Sequence, residues 1–358
     1  MPHRARTGDE FPGRTRAIDV AIAAGVSESA VSRTFRDGSV SAHVRLRVIA
    51  AARTLGYRPN AMAQALLTHR SNVIAILMTT STNSNYPEVL SELSHAAAAH
   101  GLRVMLFTIE NFSVVSDAVD QILSYQVDAV LSLTEVPAED ARILASQGVE
   151  LLLYNRSSAV YPVDLVSCDH RAAGRVLGRY LASLGHRHFA IIGGPPLSVL
   201  AVERAAGVLD ALADAGIARE KVPIEIGDFG YDSGRAAARV LLKAKQRPTA
   251  LACVSDMMAI GAIDEASGMG LTVPDALSVA GFDGVPQGAW DRYRLTTMRQ
   301  PLRQLALAAI ETLKCKIANT GRVFETRLLM CELSVGSSTA SIPPALSEQM
   351  HRSLVALL

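Results

Sequence analysis

The chain has 358 residues, a net charge of +1, 49% hydrophobic residues and 19% charged residues. That length and apolar share supply cores for two or three domains and exclude global disorder. The apolar run VIAILM at 73–78 is far short of the roughly 20 residues a membrane span needs, and the first 30 residues carry scattered charges instead of an apolar signal; a cytoplasmic protein with no membrane partner is expected.

Residues 1–14 show no apolar period and are expected to form a mobile tail. Residues 15–58 predict three short helices, and residues 59–70 a linker that begins at Pro59. Residues 1–70 hold 11 Arg and no Lys and carry +6, against −5 for the rest. A small basic head on a mildly acidic body points to a polyanion partner for the head alone. The segment DVAIAAGVSESAVSR at 19–33 has the spacing of a helix-turn-helix. Ala21 is small where two helices touch, and Gly25 tolerates positive φ at the turn. Ser27 can cap the second helix, and Val31 faces back to the first. Such a unit lays its second helix in the DNA major groove, N-terminal side chains first.

Glu28 and Ser29 would then face base edges. Glu28 fits either acceptance from a cytosine amine or a favourable place on the helix dipole. Arg33 suits either guanine or phosphate, while Ser27, Ser32 and Arg36 suit phosphates, which position without specifying sequence. A third helix at about 43–56 turns Val44, Val48, Ile49, Ala52 and Leu55 to one side and Arg45, Arg47 and Arg53 to solvent or phosphate.

From residue 73 short apolar runs (73–78, 103–107, 128–133, 151–154, 189–193, 250–254 and 278–282) alternate with amphipathic stretches (86–100, 114–125, 171–185, 200–216, 231–245 and 257–270). Uniformly apolar strands separated by helices indicate parallel sheets covered on both faces. About 270 residues of this texture fit two doubly wound subdomains with a cleft between them. The four cysteines, Cys168, Cys253, Cys315 and Cys331, lie far apart and form no CxxC; they read as buried thiols, with neither zinc nor a disulfide expected. In the tail at 341–358, Leu346, Met350, Leu354 and Leu357 recur at helical spacing, but about 12 residues are too few for a stable coiled coil.

The head resembles the lactose-repressor (LacI/GalR) family of bacterial transcription regulators. The strings DVA…AGVS…VSR, the VS at 40–41 and LGYRPNAMAQAL at 55–66 carry the likeness. It implies that the segment after Asn60 folds as a hinge helix in the minor groove, with Leu66 wedged between base pairs, Ala63 as its small neighbour and Gln64 facing the groove. Departures are Ala30 in place of a threonine, Phe35-Arg36-Asp37 in place of leucine-asparagine, and Gly336 in place of an arginine. The likeness runs to about residue 340 through LGHRHFAIIGGP at 184–195, ERAAG at 203–207, SD at 255–256, VAGFD at 279–283 and LTTMRQP at 295–301.

The fold class expected is therefore an all-α helix-turn-helix head with a hinge helix, plus an α/β periplasmic-binding-protein-like body of two Rossmann-like subdomains. The expected lobes are about 73–164 with 297–326, and about 165–296 with 327–340. Effector-facing residues should sit beyond strand ends: Tyr86, Asn155, Arg204, Phe229, Asp256 and Asp283. A sugar or polyol needs paired carboxylate and guanidinium groups and an aromatic face; Asp283 with Arg204, and Tyr86 or Phe229, answer this. Asp256 equally suits a helix cap, and Phe229 the core. Ser198 and Leu200 flank the Gly-Gly-Pro-Pro loop, which has no feature of a phosphate site.

The expected protein is a homodimeric transcription regulator, a repressor by default, binding a pseudo-palindromic DNA operator under control of a small-molecule effector. Pairing of dimers into tetramers is left open. No cofactor or metal is expected, and no catalytic constellation is present in the sequence. The competing reading is a small-molecule sensor or sugar-acting enzyme without sequence-specific DNA regulation.

Overall fold

The structure, a computed structural model, describes residues 15–35, 39–58, 70–80, 85–110, 114–156, 161–318 and 323–342. The expected tail at 1–14, Arg36, the hinge residues Asn60, Ala63, Gln64 and Leu66, and the chain beyond 342 lie outside the described residues. The chain divides into two compact units, Met1–Ser71 and Asn72–Leu358.

The first unit holds α1 (Ala17–Ala24), α2 (Glu28–Thr34) and α3 (Ala42–Thr54). Val20, Ala21, Ala24, Val31, Val48 and Ala52 form its core. Gly25 takes φ 60° at the α1–α2 turn, where only a residue without Cβ strain sits comfortably. Ser27 accepts the Ala30 N–H at 3.2 Å and Ser41 the Val44 N–H at 3.3 Å, so both α2 and α3 begin on serine caps. Two arginines of α3 depart from the expected solvent-facing role. Arg47 donates to the Ala24 carbonyl and, at 3.1 Å, to that of Gly25. Arg45 donates to the Thr34 carbonyl at 3.2 Å. Carbonyls at helix C-termini lack intrahelical partners, and the guanidinium groups of the neighbouring helix supply them.

The second unit contains two six-stranded sheets. The first has the order β11-β5-β4-β3-β1-β2, with β1 (Val73–Thr79), β2 (Arg103–Ile109), β3 (Ala129–Ser132), β4 (Glu150–Tyr154), β5 (Asp164–Cys168) and β11 (Thr326–Leu329). All its pairings are parallel. The second has the order β12-β10-β9-β8-β6-β7, with β6 (Phe189–Gly193), β7 (Ile224–Ile226), β8 (Ala250–Cys253), β9 (Ser278–Asp283), β10 (Thr296–Arg299) and β12 (Glu332–Ser334). Only β10–β12 runs antiparallel there.

Helices α4 (Tyr86–Ala99), α5 (Val115–Ser124) and α6 (Ala138–Ser146) connect strands of the first sheet. Helices α7 (His170–Ser183), α8 (Val199–Asp214), α9 (Tyr231–Leu242) and α10 (Asp256–Gly268) serve the second. Helix α11 (Leu302–Ala318) returns to the first lobe, against α4, β4 and β5. The chain thus crosses between lobes after Cys168, after Arg299 and after Leu329. These crossings correct the expected lobe boundaries by a few residues: 165–168 and 327–329 belong to the first sheet and 297–299 to the second. Strand pairing, not hydropathy, decides where a lobe ends. No helix among the described residues is long and apolar enough to cross a membrane. Gly336 packs against the Arg294 carbonyl, and its N–H donates to Thr296 Oγ1 at 3.0 Å; a side chain has no room there.

Helices α7 and α8 meet backbone to backbone. A Cβ on Gly174 would collide with the Arg204 carbonyl, and one on Gly207 with the Arg171 carbonyl. Gly234 and Gly261 do the same for α9 and α10, against the Met258 and Tyr231 carbonyls. Close-packed interiors answer added volume with strain. Gly207→Val should therefore lower the urea midpoint of the second unit without changing the m-value, a loss of about 1–3 kcal/mol; an unchanged midpoint would show that the two helices can part freely.

Candidate functional site

A cavity of about 900 Å³ opens between the two sheets of the second unit. Its wall is built from loops beyond strand C-terminal ends. Asn155 follows β4, Phe229 follows β7, Asp283 ends β9, and Tyr86 opens α4. Arg204 lies on α8 and reaches inward, buried. All five line the cavity.

Three of the five hold positive φ: Asn155 at 50°, Phe229 at 71° and Asp283 at 128°. Non-glycine residues rarely adopt this backbone, and it persists only where surroundings enforce it. For Asp283 the enforcing group is Asp256. The Asp256 carboxylate accepts the N–H groups of Gly284 and Val285 at 2.7 and 2.8 Å, and the Thr297 hydroxyl at 2.6 Å. It thereby holds the turn that aims Asp283 into the cavity. Asp256 itself is fully buried and is not part of the cavity wall. The expectation of effector contact is corrected here: its oxygens are occupied by the turn. Nor does its side chain cap α10, because Ser255 does, accepting the Met258 N–H at 3.3 Å. Burial, with the nearby Asp283 charge second, pushes the Asp256 carboxyl up to about 7.

Asp283 is the junction of a polar chain. Its Oδ1 accepts from Arg204 Nη1 at 2.9 Å and from Gln300 Nε2 at 2.7 Å. Gln300 Oε1 accepts from Asn155 Nδ2 at 2.8 Å, and Asn155 Oδ1 accepts the Cys168 N–H at 2.9 Å. Arg204 also donates to the Val254 carbonyl at 2.8 Å and lies 3.9 Å over the Phe282 ring. The chain runs from the second lobe through the crossing residue Gln300 to the first. Burial raises the Asp283 carboxyl above its ordinary value, although Arg204 and Gln300 pull it down.

Sequence reasoning passed over Gln300, His170 and Arg156, which line the same wall. Gln300 stands in the LTTMRQP string, Arg156 adjoins Asn155, and His170 opens α7; none belongs to a pattern that singles it out. His170 Nδ1 accepts from Arg204 Nε at 3.3 Å, which places the imidazole proton on Nε2. Burial, then repulsion from Arg204 and Arg156, drives its pKa well below the ordinary histidine value.

In the first unit, Ser27, Glu28, Ser29 and Arg33 are exposed and Ser32 is half-buried, while Ala30, Val31 and Thr34 face the core. Ser27 spends its Oγ on the α2 cap and a 2.9 Å contact with Ser29. Arg33 Nε donates to the Ser29 carbonyl at 3.2 Å, leaving the rest of its guanidinium outward.

Residues 18–60 match the family described as bacterial regulatory proteins, lacI family, and residues 179–339 match the periplasmic binding protein-like domain. The HTH-type transcriptional repressor CytR of Escherichia coli (strain K12) is 30% identical over 328 residues, 91% of this chain and 96% of that protein. The chain belongs to the lacI family of bacterial regulatory proteins. The repressor PurR of Erwinia tasmaniensis is another relative of this lacI-family chain, 32% identical over 84% of it and 90% of PurR. Among solved structures, the lac repressor dimer bound to operator and the anti-inducer ONPF matches with a TM-score of 0.82 at 27% identity, covering 91% of this chain and 99% of that one. The CelR–cellobiose complex matches at 0.68 and 28% identity, over 91% and 100%. The chain is a DNA-binding transcription regulator with an effector-binding domain, not an enzyme. The competing reading, a sensor or sugar-acting enzyme, finds no support among these relatives.

Two outcomes test the site geometry. Asp256→Ala strands the two N–H groups of the Gly284 turn at about 1–3 kcal/mol each, so unfolding free energy should fall by several kcal/mol; a loss under about 0.5 kcal/mol, the size of an ordinary surface substitution, would deny the carboxylate its role. His170 makes the second. The unfolded chain takes up a proton near the ordinary histidine pKa, whereas the folded chain resists it, so stability drains as pH falls below about 6.5. Urea titrations of wild type and His170→Gln between pH 7.5 and 5 should diverge in the variant's favour toward acid, by up to about 1.4 kcal/mol per pH unit. Parallel curves would mean that His170 protonates freely in the fold.

Proposed function

We propose that this regulator is a cytoplasmic, homodimeric repressor whose hold on a pseudo-palindromic operator is set by a small molecule bound in the cavity, a sugar, polyol or sugar acid by class. The observation that carries the reading is the buried chain Arg204–Asp283–Gln300–Asn155, which ties the lobes together where a ligand would sit. A hydroxylated ligand that takes over Asp283 and Arg204 competes with Gln300 for the same oxygen. It therefore binds two lobe arrangements with different affinity, which is the requirement for control at a distance. Tyr86 and Phe229 offer aromatic faces to its C–H surface. Solved relatives, the lac repressor with an anti-inducer and CelR with cellobiose, agree with a ligand of this kind.

At the DNA, Glu28, Ser29 and Arg33 would meet base edges, and Ser27, Ser32 and Arg36 phosphates. Asn60, Ala63, Gln64 and Leu66 would form the hinge, with Leu66 as the intercalating wedge. Operator selection followed by fluorescence anisotropy tests this. Affinity should fall steeply with salt and exceed that for random DNA by about 10³-fold or more. Leu66→Ala should lower operator affinity about tenfold or more and reduce bending, with the thermal shift produced by a sugar hit unchanged. Arg204→Ala should abolish that shift. Sequence-blind DNA binding, or a ligand shift that survives Arg204→Ala, would overturn the reading.

A further inference from the structure

We propose that the effector carries an oxyanion, a carboxylate or phosphate, and that Arg156 with His170 receives it. The inference rests on the effector reading above and adds a charge class to it.

Arg156 follows Asn155 at the end of β4 and lines the cavity from the first lobe. Its Nη1 donates to the Asn155 carbonyl at 2.6 Å, and its Nη2 meets the Tyr86 hydroxyl at 3.5 Å, the outer limit of a hydrogen bond. Among the described residues no carboxylate lies within ion-pair distance of it. The other arginines of the wall differ. Arg204 pairs with Asp283 at 2.9 Å, and Arg171 with Asp210 at 3.0 Å. A guanidinium has five donors, and most of those on Arg156 are unspent. Desolvation lowers its pKa from the ordinary arginine value, against the favourable pull of Tyr86 and Glu135.

A second donor in the same wall has the same deficit. With Nδ1 engaged by Arg204, His170 presents an N–H at Nε2 that is buried and has no hydrogen-bond partner among the described residues. It stands close enough to Arg156 for the cation to oppose its protonation. The acidic groups of the wall do not fill either gap. Asp283 Oδ1 is shared by Arg204 and Gln300, and Asp169 caps α7 through the Ala172 N–H at 2.9 Å. Asp228 holds the Gly230 N–H at 2.8 Å, Glu203 pairs with Arg171 at 3.8 Å, and Glu135 attracts Arg156 from an exposed position.

A half-buried cation without a counter-ion in ion-pair reach and a buried N–H without an acceptor both call for a group that only accepts and is negative. A neutral hydroxyl could accept from His170, but it would leave the charge on Arg156 unanswered. An oxyanion answers both. Arg204 and Asp283, beside His170 on the second lobe, would then take the hydroxylated part of the molecule, and Arg156 would hold the oxyanion from the first lobe, so the ligand would span the cleft.

The test uses the full-length protein and free oxyanions as probes. Melting temperatures of wild type, Arg156→Gln and Arg204→Ala are compared in 50 mM acetate, phosphate or chloride at matched ionic strength. Acetate or phosphate should raise the wild-type value about 2–4 °C above chloride, and Arg156→Gln should lose that increment. Without probe, Arg156→Gln should melt no lower than wild type, because it removes an uncompensated charge. Acetate alone acting assigns a carboxylate, phosphate alone a phosphorylated ligand, and both the shared chemistry. Equal increments in wild type and Arg156→Gln, no increment over chloride, or an Arg156→Gln variant that melts low or does not fold would each overturn the proposal. A neutral sugar whose stabilisation disappears in Arg204→Ala but persists in Arg156→Gln would leave the effector reading standing and remove the oxyanion.

Discussion

The second unit is organised around one buried carboxylate that cannot be left unpaired. Asp283 sits at the C-terminal end of the interior strand β9, facing a cavity, in a backbone conformation that non-glycine residues avoid. An isolated charge there would cost several kcal/mol. Arg204 and Gln300 compensate it, and their positions follow from larger features. Arg204 requires α8 to approach α7 closely, which Gly174 and Gly207 permit. Gln300 requires the chain to cross between lobes just after β10. Asp256, invisible from the cavity, fixes the turn. A single charge thus depends on two helix faces, one crossing and one buried acid.

This arrangement connects energetics to regulation. The two lobes share three crossings, so their relative position is governed by whatever bonds bridge them at those points. Cys168, Gln300 and Cys331 sit at or beside the three, and Gln300 hydrogen-bonds partners on both sides. A ligand needs no long-range device to change the lobes. It has only to exchange one carboxylate's partners, because the rest of the bridge is already polar and desolvated, where each hydrogen bond counts for more than in water.

The DNA-facing unit uses the same economy of means with different groups. Its helices are short, and short helices are marginal alone. Serine caps begin α2 and α3, and Arg47 and Arg45 close the carbonyl ends of α1 and α2. Two of the basic residues that composition would assign to phosphate are thereby engaged within the head, while the exposed face of α2 keeps Glu28, Ser29 and Arg33.

Much was legible from residues alone. Uniformly apolar runs placed seven strands, amphipathic stretches six of the body helices, and the spacing of small, glycine and apolar residues the helix-turn-helix of the head. The family motifs named the fold and pointed to Arg204 and Asp283. The strands β5, β7, β10, β11 and β12 escaped, since three to five mixed residues at a sheet edge or crossing carry no pattern; only their pairing partners define them. Asp256 looked like its neighbours until burial and three donors assigned it to the turn. Gln300, His170 and Arg156 gained meaning only when strands far apart in the chain brought them to one wall. Hydropathy and spacing are local quantities, so the sequence by itself determined elements, fold class and family. Which polar groups stand buried without a partner is a property of the assembled unit, and the tertiary structure alone decided it.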